Sequence, residues 1–272
     1  MKTHIVLLTG GSSGIGLEIA KQLMEKGIKV YSASRRLASP QKSIYGEGEI
    51  IPVKMDVNNE NEIVSVVDHI VKDNNRLDAI ICNAGNGIAG SVEDTSVEEA
   101  KYQFETNFFG VVKTIQTCLP VFRNQGFGKI MVTSSFSAIT PIPYQAFYSA
   151  AKSALFNFIQ ALSIEVKQFG IQCCTVLPGN TCTEFTSHRQ CTHTSQCNES
   201  AYTTRMNHSL KRMEEDENNG MKASFVARRM VKEIRKNKMR EIVIPGISYR
   251  LVYNLYPLMP VKFRLWMISK LY

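Results

Sequence analysis

The run Ile5-Val6-Leu7-Leu8, followed by Thr9-Gly10-Gly11-Ser12-Ser13-Gly14-Ile15-Gly16, decides how the rest of the chain is read. The first four residues are an aliphatic, partly β-branched run of strand length. Glycines at 10, 11, 14 and 16 then form a turn, and Leu17–Lys26 continues with apolar residues at helical spacing. In a strand–glycine turn–helix unit the backbone N–H groups of the helix start can meet a phosphate. Gly10, Ser12, Ser13, Gly14, Ile15 and Gly16 are therefore candidate contacts to the pyrophosphate of a dinucleotide.

The same alternation runs through the chain. Strand patterns are predicted at Ile5–Leu8, Lys29–Ala33, Ile50–Lys54, Ala79–Cys82, Lys129–Thr133, Gln172–Leu177 and Glu241–Ile244. Helical patterns lie between them at Leu17–Lys26, Glu60–Asp73, Lys101–Phe122, Phe147–Phe169 and Ser224–Lys236. Strands alternating with helices predict an α/β fold, a doubly wound parallel sheet with helices on both faces. One domain over residues 1–246 and a C-terminal segment over 247–272 follow from this pattern. Residues 183–220 are polar and lack clear periodicity, as a substrate loop would; Met206–Glu217 within them has room for a short helix.

Composition narrows the class. The chain has 272 residues, 44% hydrophobic and 21% charged, which excludes a disordered or fibrous protein. No apolar run reaches the length of a membrane span, and a signal peptide is not expected ahead of so early a strand. Seven cysteines at irregular spacing, four of them in apolar or strand-like runs, fit a reducing, cytoplasmic setting. The formal charge of +8 is uneven: residues 1–204 carry 17 basic and 18 acidic side chains, residues 205–272 carry 15 and 6. Within 247–272, Arg250, Lys262, Arg264 and Lys270 alternate with Tyr249, Tyr253, Tyr256, Phe263 and Trp266, with no acidic residue. That mixture suits peripheral contact with an anionic membrane surface; the alternative is a helix packed on the domain or on a second subunit. No nucleic-acid reading module accompanies the charge.

The end of the second strand bears on which dinucleotide binds. An Asp or Glu there would bond the ribose 2′-hydroxyl of NAD. This chain reads Ala33-Ser34-Arg35-Arg36 instead, and guanidinium groups grip a 2′-phosphate with paired hydrogen bonds. Ser34, Arg35 and Arg36 therefore favour NADP(H). Further on, Tyr148-Ser149-Ala150-Ala151-Lys152 sets a phenol and an ammonium four residues apart on one helix face. A free tyrosine has a pKa of about 10, and a nearby cation favours its phenolate, so Tyr148 is a candidate acid/base group.

Together with the glycine turn, four further features complete a pattern. They are Asn83-Ala84-Gly85 after the fourth strand, Asn107 in a helix, Ser135 thirteen residues before Tyr148, and Pro178-Gly179 after the sixth strand. In this order and spacing the chain resembles the short-chain dehydrogenase/reductase family over about residues 3–185. The resemblance implies a single Rossmann-type domain, NADP(H) as cofactor and hydride transfer without a metal. It implies that Tyr148 exchanges a proton with the substrate oxygen and that Ser135 hydrogen-bonds that oxygen. Lys152 would bind the nicotinamide ribose and lower the tyrosine pKa, and Asn107 would support a water leading to Lys152. Ser134 is the neighbour that lacks the family spacing. Asp56 and Val57 would contact the adenine, Asn83, Ala84 and Gly85 would line the cleft, and Pro178, Gly179, Thr181 and Thr183 would hold the carboxamide end. Family members commonly pair through the two long helices, which implies a homodimer or homotetramer.

Residues after Ser135 and after Pro178-Gly179 build the family's substrate pocket. Here they are Phe136, Ile139, Pro141, Ile142, Tyr144, Glu184 and Phe185, which suit a lipophilic ketone or alcohol. Members acting on steroids, retinoids and long-chain keto-lipids are similar, and the glycine turn also occurs in the 3-ketosphinganine reductase branch. Cys182, His188, Cys191, His193 and Cys197 lie close in sequence, but their spacing matches no paired zinc pattern. Two other readings stand beside the reductase: an NAD-dependent alcohol dehydrogenase, which Arg35 and Arg36 disfavour, and a non-catalytic NADPH sensor, which the intact Ser135, Tyr148, Lys152 and Asn107 disfavour.

Overall fold

The structure is a computed structural model, described over residues 3–37, 39–42, 46–196 and 200–272. In chain order the strands are β1 (Ile5–Thr9), β2 (Lys29–Ser34), β3 (Gln41–Lys42), β4 (Glu49–Lys54), β5 (Ala79–Cys82), β6 (Ile88–Ala89), β7 (Gly128–Thr133), β8 (Ile171–Val176), β9 (Thr181–Cys182), β10 (Gln190–Cys191), β11 (Met221–Lys222) and β12 (Ile242–Val243). The helices are α1 (Gly14–Met24), α2 (Glu60–Asn74), α3 (Val97–Phe104), α4 (Gly110–Gln125), α5 (Ala146–Glu165), α6 (His193–Gln196), α7 (Thr203–Asn218), α8 (Ala223–Ile234), α9 (Ile247–Leu255) and α10 (Val261–Leu271).

The main sheet runs β12-β8-β7-β5-β1-β2-β4-β3. Every pairing in it is parallel except that of β3, which joins β4 antiparallel at the edge. Alternation along β1 sorts the core into two layers. Ile5 and Leu7 pack with Ile63 and Ile70 of α2, Ile115 of α4 and Leu155 of α5. Val6 and Leu8 face the opposite way, onto Ile19 and Leu23 of α1 and Val226 and Met230 of α8. The chain thus winds in two directions away from β1, and the order reverses between β1 and β5. A crevice opens at the carboxyl ends of strands at such a reversal.

Asp78, just before β5, fastens β1 to its neighbour. Its carboxylate is buried and accepts from the backbone N–H of His4 at 2.6 Å and of Ile5 at 2.9 Å, while Arg76 donates to the other oxygen. Lys129 does the equivalent at the far side, its buried ammonium donating to the carbonyls of Ile234 and Lys236.

The predicted strands all form, with ends within a residue or two. The helix predicted over Lys101–Phe122 is divided: α3 passes through a π turn at Glu105–Phe109 before α4, and the N–H of Gly110 reaches back to the carbonyl of Glu105. Residues 183–220 hold more order than their polarity suggests. β10 pairs with β6, and α7 runs the full length Thr203–Asn218, burying Met206, Leu210 and Met213. Three apolar residues at helical spacing suffice to seat it, although the helix is polar on average. Two-residue strands such as β6, β9 and β11 carry no periodic signal and were not predicted. The segment after 246 folds as α9, a 3₁₀ turn at Tyr256–Leu258 and α10. Among the described residues no helix is long and apolar enough to cross a membrane.

Removing the Asp78 carboxylate strands two backbone donors and a partly buried guanidinium. Asp78→Ala is expected to cost about 3 kcal/mol, measured as a Tm lowered by roughly 10 °C in thermal unfolding.

Candidate active site

The crevice is a cleft of about 750 Å³ running from the glycine turn, past the ends of β2 and β4, to the C-terminal helices. At its head Gly10 has φ 68°, and a Cβ there would stand 2.8 Å from the Cα of Ala84. Glycine alone permits that conformation and that approach. Gly14 has φ 51° and opens α1, whose first turn contains no acidic residue and no side-chain cap. The α1 N-terminus is therefore left with free donors and a positive dipole end, which fits a pyrophosphate. Gly16 does not line the cleft; a side chain there would run into the Gly10 carbonyl, so it serves helix–strand packing. Thr183 lies against Gly14 across the cleft.

Thr9, absent from the sequence-based candidates, ties the two central strands together. Its hydroxyl accepts from the N–H of Asn83 at 3.0 Å and of Ala84 at 3.1 Å. The Asn83 amide then bonds the Gly10 carbonyl and the Thr133 hydroxyl. At the end of β2, the Ser34 hydroxyl donates to the Arg36 carbonyl and fixes the bend. Arg35 and Arg36 line the cleft and are exposed; among the described residues neither has an ion-pair partner. Asp56 receives the Asn58 N–H at 3.0 Å, and Asp56 and Val57 form the wall nearby.

Ser135, Tyr148 and Lys152 converge on the floor. Ser135 lies near enough to Tyr148 to favour its phenolate, and its own hydroxyl accepts from the Ser137 N–H at 3.1 Å. The Lys152 ammonium stands 5.7 Å from the Tyr148 ring centroid and donates to the Thr133 carbonyl at 3.1 Å. Ser134 points elsewhere, donating to the Lys152 carbonyl at 2.9 Å. Asn107 lies behind the floor, fully buried in the π turn. Its amide donates to the side chain and carbonyl of Asn86 and to the Gln103 carbonyl. Gln103 grips Asn86 as well, so this pair shapes the floor next to Gly85. Gln103 and Asn86 carried no signal in the sequence, since each acts only through a contact made across the fold.

The sequence leads one to expect a tyrosine pKa lowered by the neighbouring lysine. In the structure burial outweighs that: the phenol is pushed up to about 12, with Ser135 as the main opposing influence. Burial likewise brings Lys152 down to about 8. Both groups are thus held toward their neutral forms, an arrangement in which Tyr148 is a proton donor.

A family model for short chain dehydrogenases matches residues 4–193, more than half of the chain. The chain belongs to the short-chain dehydrogenase/reductase family. A 3-ketodihydrosphingosine reductase of Bacteroides thetaiotaomicron is 40% identical over 220 residues, covering 81% of this chain and 79% of that protein. Two short-chain dehydrogenases of known structure share the fold. The one from Burkholderia phymatum, in complex with NAD, has a TM-score of 0.76 at 19% identity over 94% of this chain and 95% of its own. The one from Burkholderia cenocepacia, in complex with NADP, has a TM-score of 0.74 at 20% identity over 99% and 98%. The protein is accordingly an oxidoreductase of a family that uses nicotinamide cofactors.

This short-chain dehydrogenase walls the far end of its cleft differently from the sequence-based expectation. Phe136, Pro141, Ile142, Glu184 and Phe185 line the cleft, and the Phe185 ring lies 5.9 Å from that of Tyr148. Ile139 and Tyr144 do not. Ile139 closes a 3₁₀ turn, and Tyr144, at φ 60°, packs against the cluster formed by Ala89, Met206, Leu210 and Met213. Glu217 of α7 also faces the cleft and forms a partly buried ion pair with Arg189. The unexpected wall is C-terminal: Tyr249, Val252, Tyr256, Ile268, Leu271 and Tyr272 roof the cleft. Tyr249 packs on Phe136 with ring centroids 5.0 Å apart, and its hydroxyl accepts from the Asn180 N–H at 2.9 Å. Pro178, Gly179, Thr181 and Thr183 follow the end of β8, and Thr181 donates to the Gly179 carbonyl at 2.8 Å. Among the described residues no three His, Cys, Asp or Glu side chains are grouped to hold a metal, and Cys197 lies outside the described residues.

A Cβ on Gly179 would enter the Tyr249 ring. Gly179→Ala is expected to destabilise the protein by about 2 kcal/mol and to weaken cofactor binding. Combining it with Tyr249→Ala should recover part of the stability, a non-additivity that thermal unfolding of the double-mutant cycle measures.

Proposed function

We propose that the protein is an NADPH-dependent reductase of a lipophilic ketone. The observation that carries this reading is one continuous cleft with exposed arginines at one end, Ser135 and Tyr148 beside the buried Lys152 in the middle and an apolar, aromatic roof at the other. The identity to a 3-ketodihydrosphingosine reductase supports a long-chain keto-lipid as the substrate class.

On this reading the glycine turn and the open α1 N-terminus receive the pyrophosphate, and Arg35, Arg36 and Ser34 receive the 2′-phosphate. Asp56, Val57, Asn83, Ala84 and Gly85 flank the nucleotide, and Pro178, Gly179, Thr181 and Thr183 flank the nicotinamide end. When bound, the cofactor supplies the hydride. Ser135 holds the substrate oxygen by a hydrogen bond, and Tyr148 gives that oxygen its proton. Lys152, fixed by Thr133, keeps a positive charge near the phenol as it loses the proton. Asn107 and Gln103 act as positioning residues, through Asn86. The apolar roof excludes water and binds the hydrocarbon part of the substrate. In the oxidative direction the same groups work in reverse. Outward-facing Phe109 near α4 and Ile164 on α5 give a homodimer or homotetramer a surface to form through. A cytoplasmic setting accords with the free thiols at Cys82, Cys118, Cys173 and Cys174.

Two measurements test the reading. Fluorescence titration should give tighter binding of NADPH than of NADH. Arg35→Asp should weaken NADPH at least ten-fold, about 1.4 kcal/mol; equal affinities in the unmodified protein overturn the NADPH assignment. Second, Tyr148 near 12 stays protonated across the working range, whereas Lys152 near 8 loses its charge within it. Reductive kcat/KM is therefore expected to be level at neutral pH and to fall as pH rises past about 8. Tyr148→Phe should lower the rate by roughly 10²–10⁴ at every pH.

A further inference from the structure

We infer that the outer face of α9 and α10 docks on an anionic lipid bilayer, with the helices lying flat and the cleft's roof against the membrane. Among the described residues, ten of nineteen exposed large hydrophobics fall between Ile247 and Leu271. They are not scattered. Ile247, Leu251 and Leu255 recur every fourth residue, one above another on α9, at 70%, 58% and 51% exposure. Leu258, in the turn that follows α9, is 79% exposed, and Trp266 of α10, 55% exposed, stacks on Phe263. So extended an apolar face marks a docking surface.

Charge identifies the occupant. Arg250, Lys262 and Lys270 are exposed along the same helices, and residues 247–272 hold no acidic side chain to balance them. Apolar side chains mixed with lysine, arginine and aromatic rings, with net positive charge, match the boundary between acyl chains and anionic headgroups. A helix of nine residues and one of eleven cannot span the hydrocarbon, so they lie in the interface. The inner side of the same helices presents Tyr249, Val252, Tyr256 and Ile268 to the cleft. Only one helical layer then separates the active site from the bilayer, and a lipophilic substrate has a short path between them. This last step rests on the substrate class proposed above; docking itself does not.

The full-length protein is mixed with vesicles of phosphatidylcholine alone or with 30% phosphatidylserine, and binding is followed by flotation and by the emission of Trp266, the single tryptophan. Co-flotation with the anionic vesicles and a blue shift are expected, with at least ten-fold weaker binding to phosphatidylcholine alone. Leu255→Asp with Leu258→Asp should abolish flotation and leave NADPH affinity unchanged, which verifies the fold. Lys262→Glu with Lys270→Glu should erase the preference for anionic lipid. Two outcomes overturn the inference: no flotation with either vesicle while NADPH still binds, or a Trp266 shift that follows protein concentration and a doubling of mass, which assigns the face to a second copy. Flotation needs no turnover, so failure of the reductase reading leaves this test intact.

Discussion

At the junction of β1 and β5 two backbones meet with no side chain between them, and the active site is organised around that approach. Gly10 comes so near Ala84 that no other residue fits, and the Thr9 hydroxyl holds the facing N–H groups of Asn83 and Ala84. The contact brings the glycine turn, the β5 end and, through Asn83, the end of β7 into one rim. Parallel strands make this economical, since their carboxyl ends gather on one side of the sheet and the reversal of order leaves room between them. Ser135 leaves β7 at that rim, and Lys152 anchors to the same strand through Thr133.

Below the rim the dominant physical term is desolvation. Tyr148 and Lys152 are both buried deeply enough that their charged forms are disfavoured, and the lysine does not offset this for the tyrosine in the protein alone. A phenol in this setting keeps its proton. Several polar groups around it are occupied with each other: Ser134 with the Lys152 carbonyl, Asn107 and Gln103 with Asn86. Such pairings cost little to maintain and leave few conformations open to the floor.

Much of this was legible in the sequence, for reasons that are local. The strands of the sheet are buried on both faces and read as short aliphatic runs, and the glycine turn and the Tyr148–Lys152 spacing are geometric statements in themselves. What was not legible depends on contacts across the chain. Nothing near Tyr249 indicates that its ring covers Gly179, seventy residues earlier. The left-handed backbone at Tyr144 sends a side chain away from the cleft that its neighbours line, and a tyrosine gives no warning of that conformation. The π turn at Glu105–Phe109 interrupts a helical pattern that looks continuous, and α7 hides a narrow buried stripe under a polar composition.

The Arg189–Glu217 pair also sets how freely one end of the cleft can change. It joins the two ends of the segment between residues 189 and 217, and the Thr186 hydroxyl donates to the same carboxylate at 2.5 Å. A segment clamped at its base resembles a closed ring: once the closure is made, its circumference matters little, and doubling it costs only about 0.6 kcal/mol of chain entropy. Insertions and deletions near its tip can therefore reshape the rim while Ser135, Tyr148 and Lys152 stay where the sheet holds them. The fold separates a part of the molecule free to diversify in length from a part that is not.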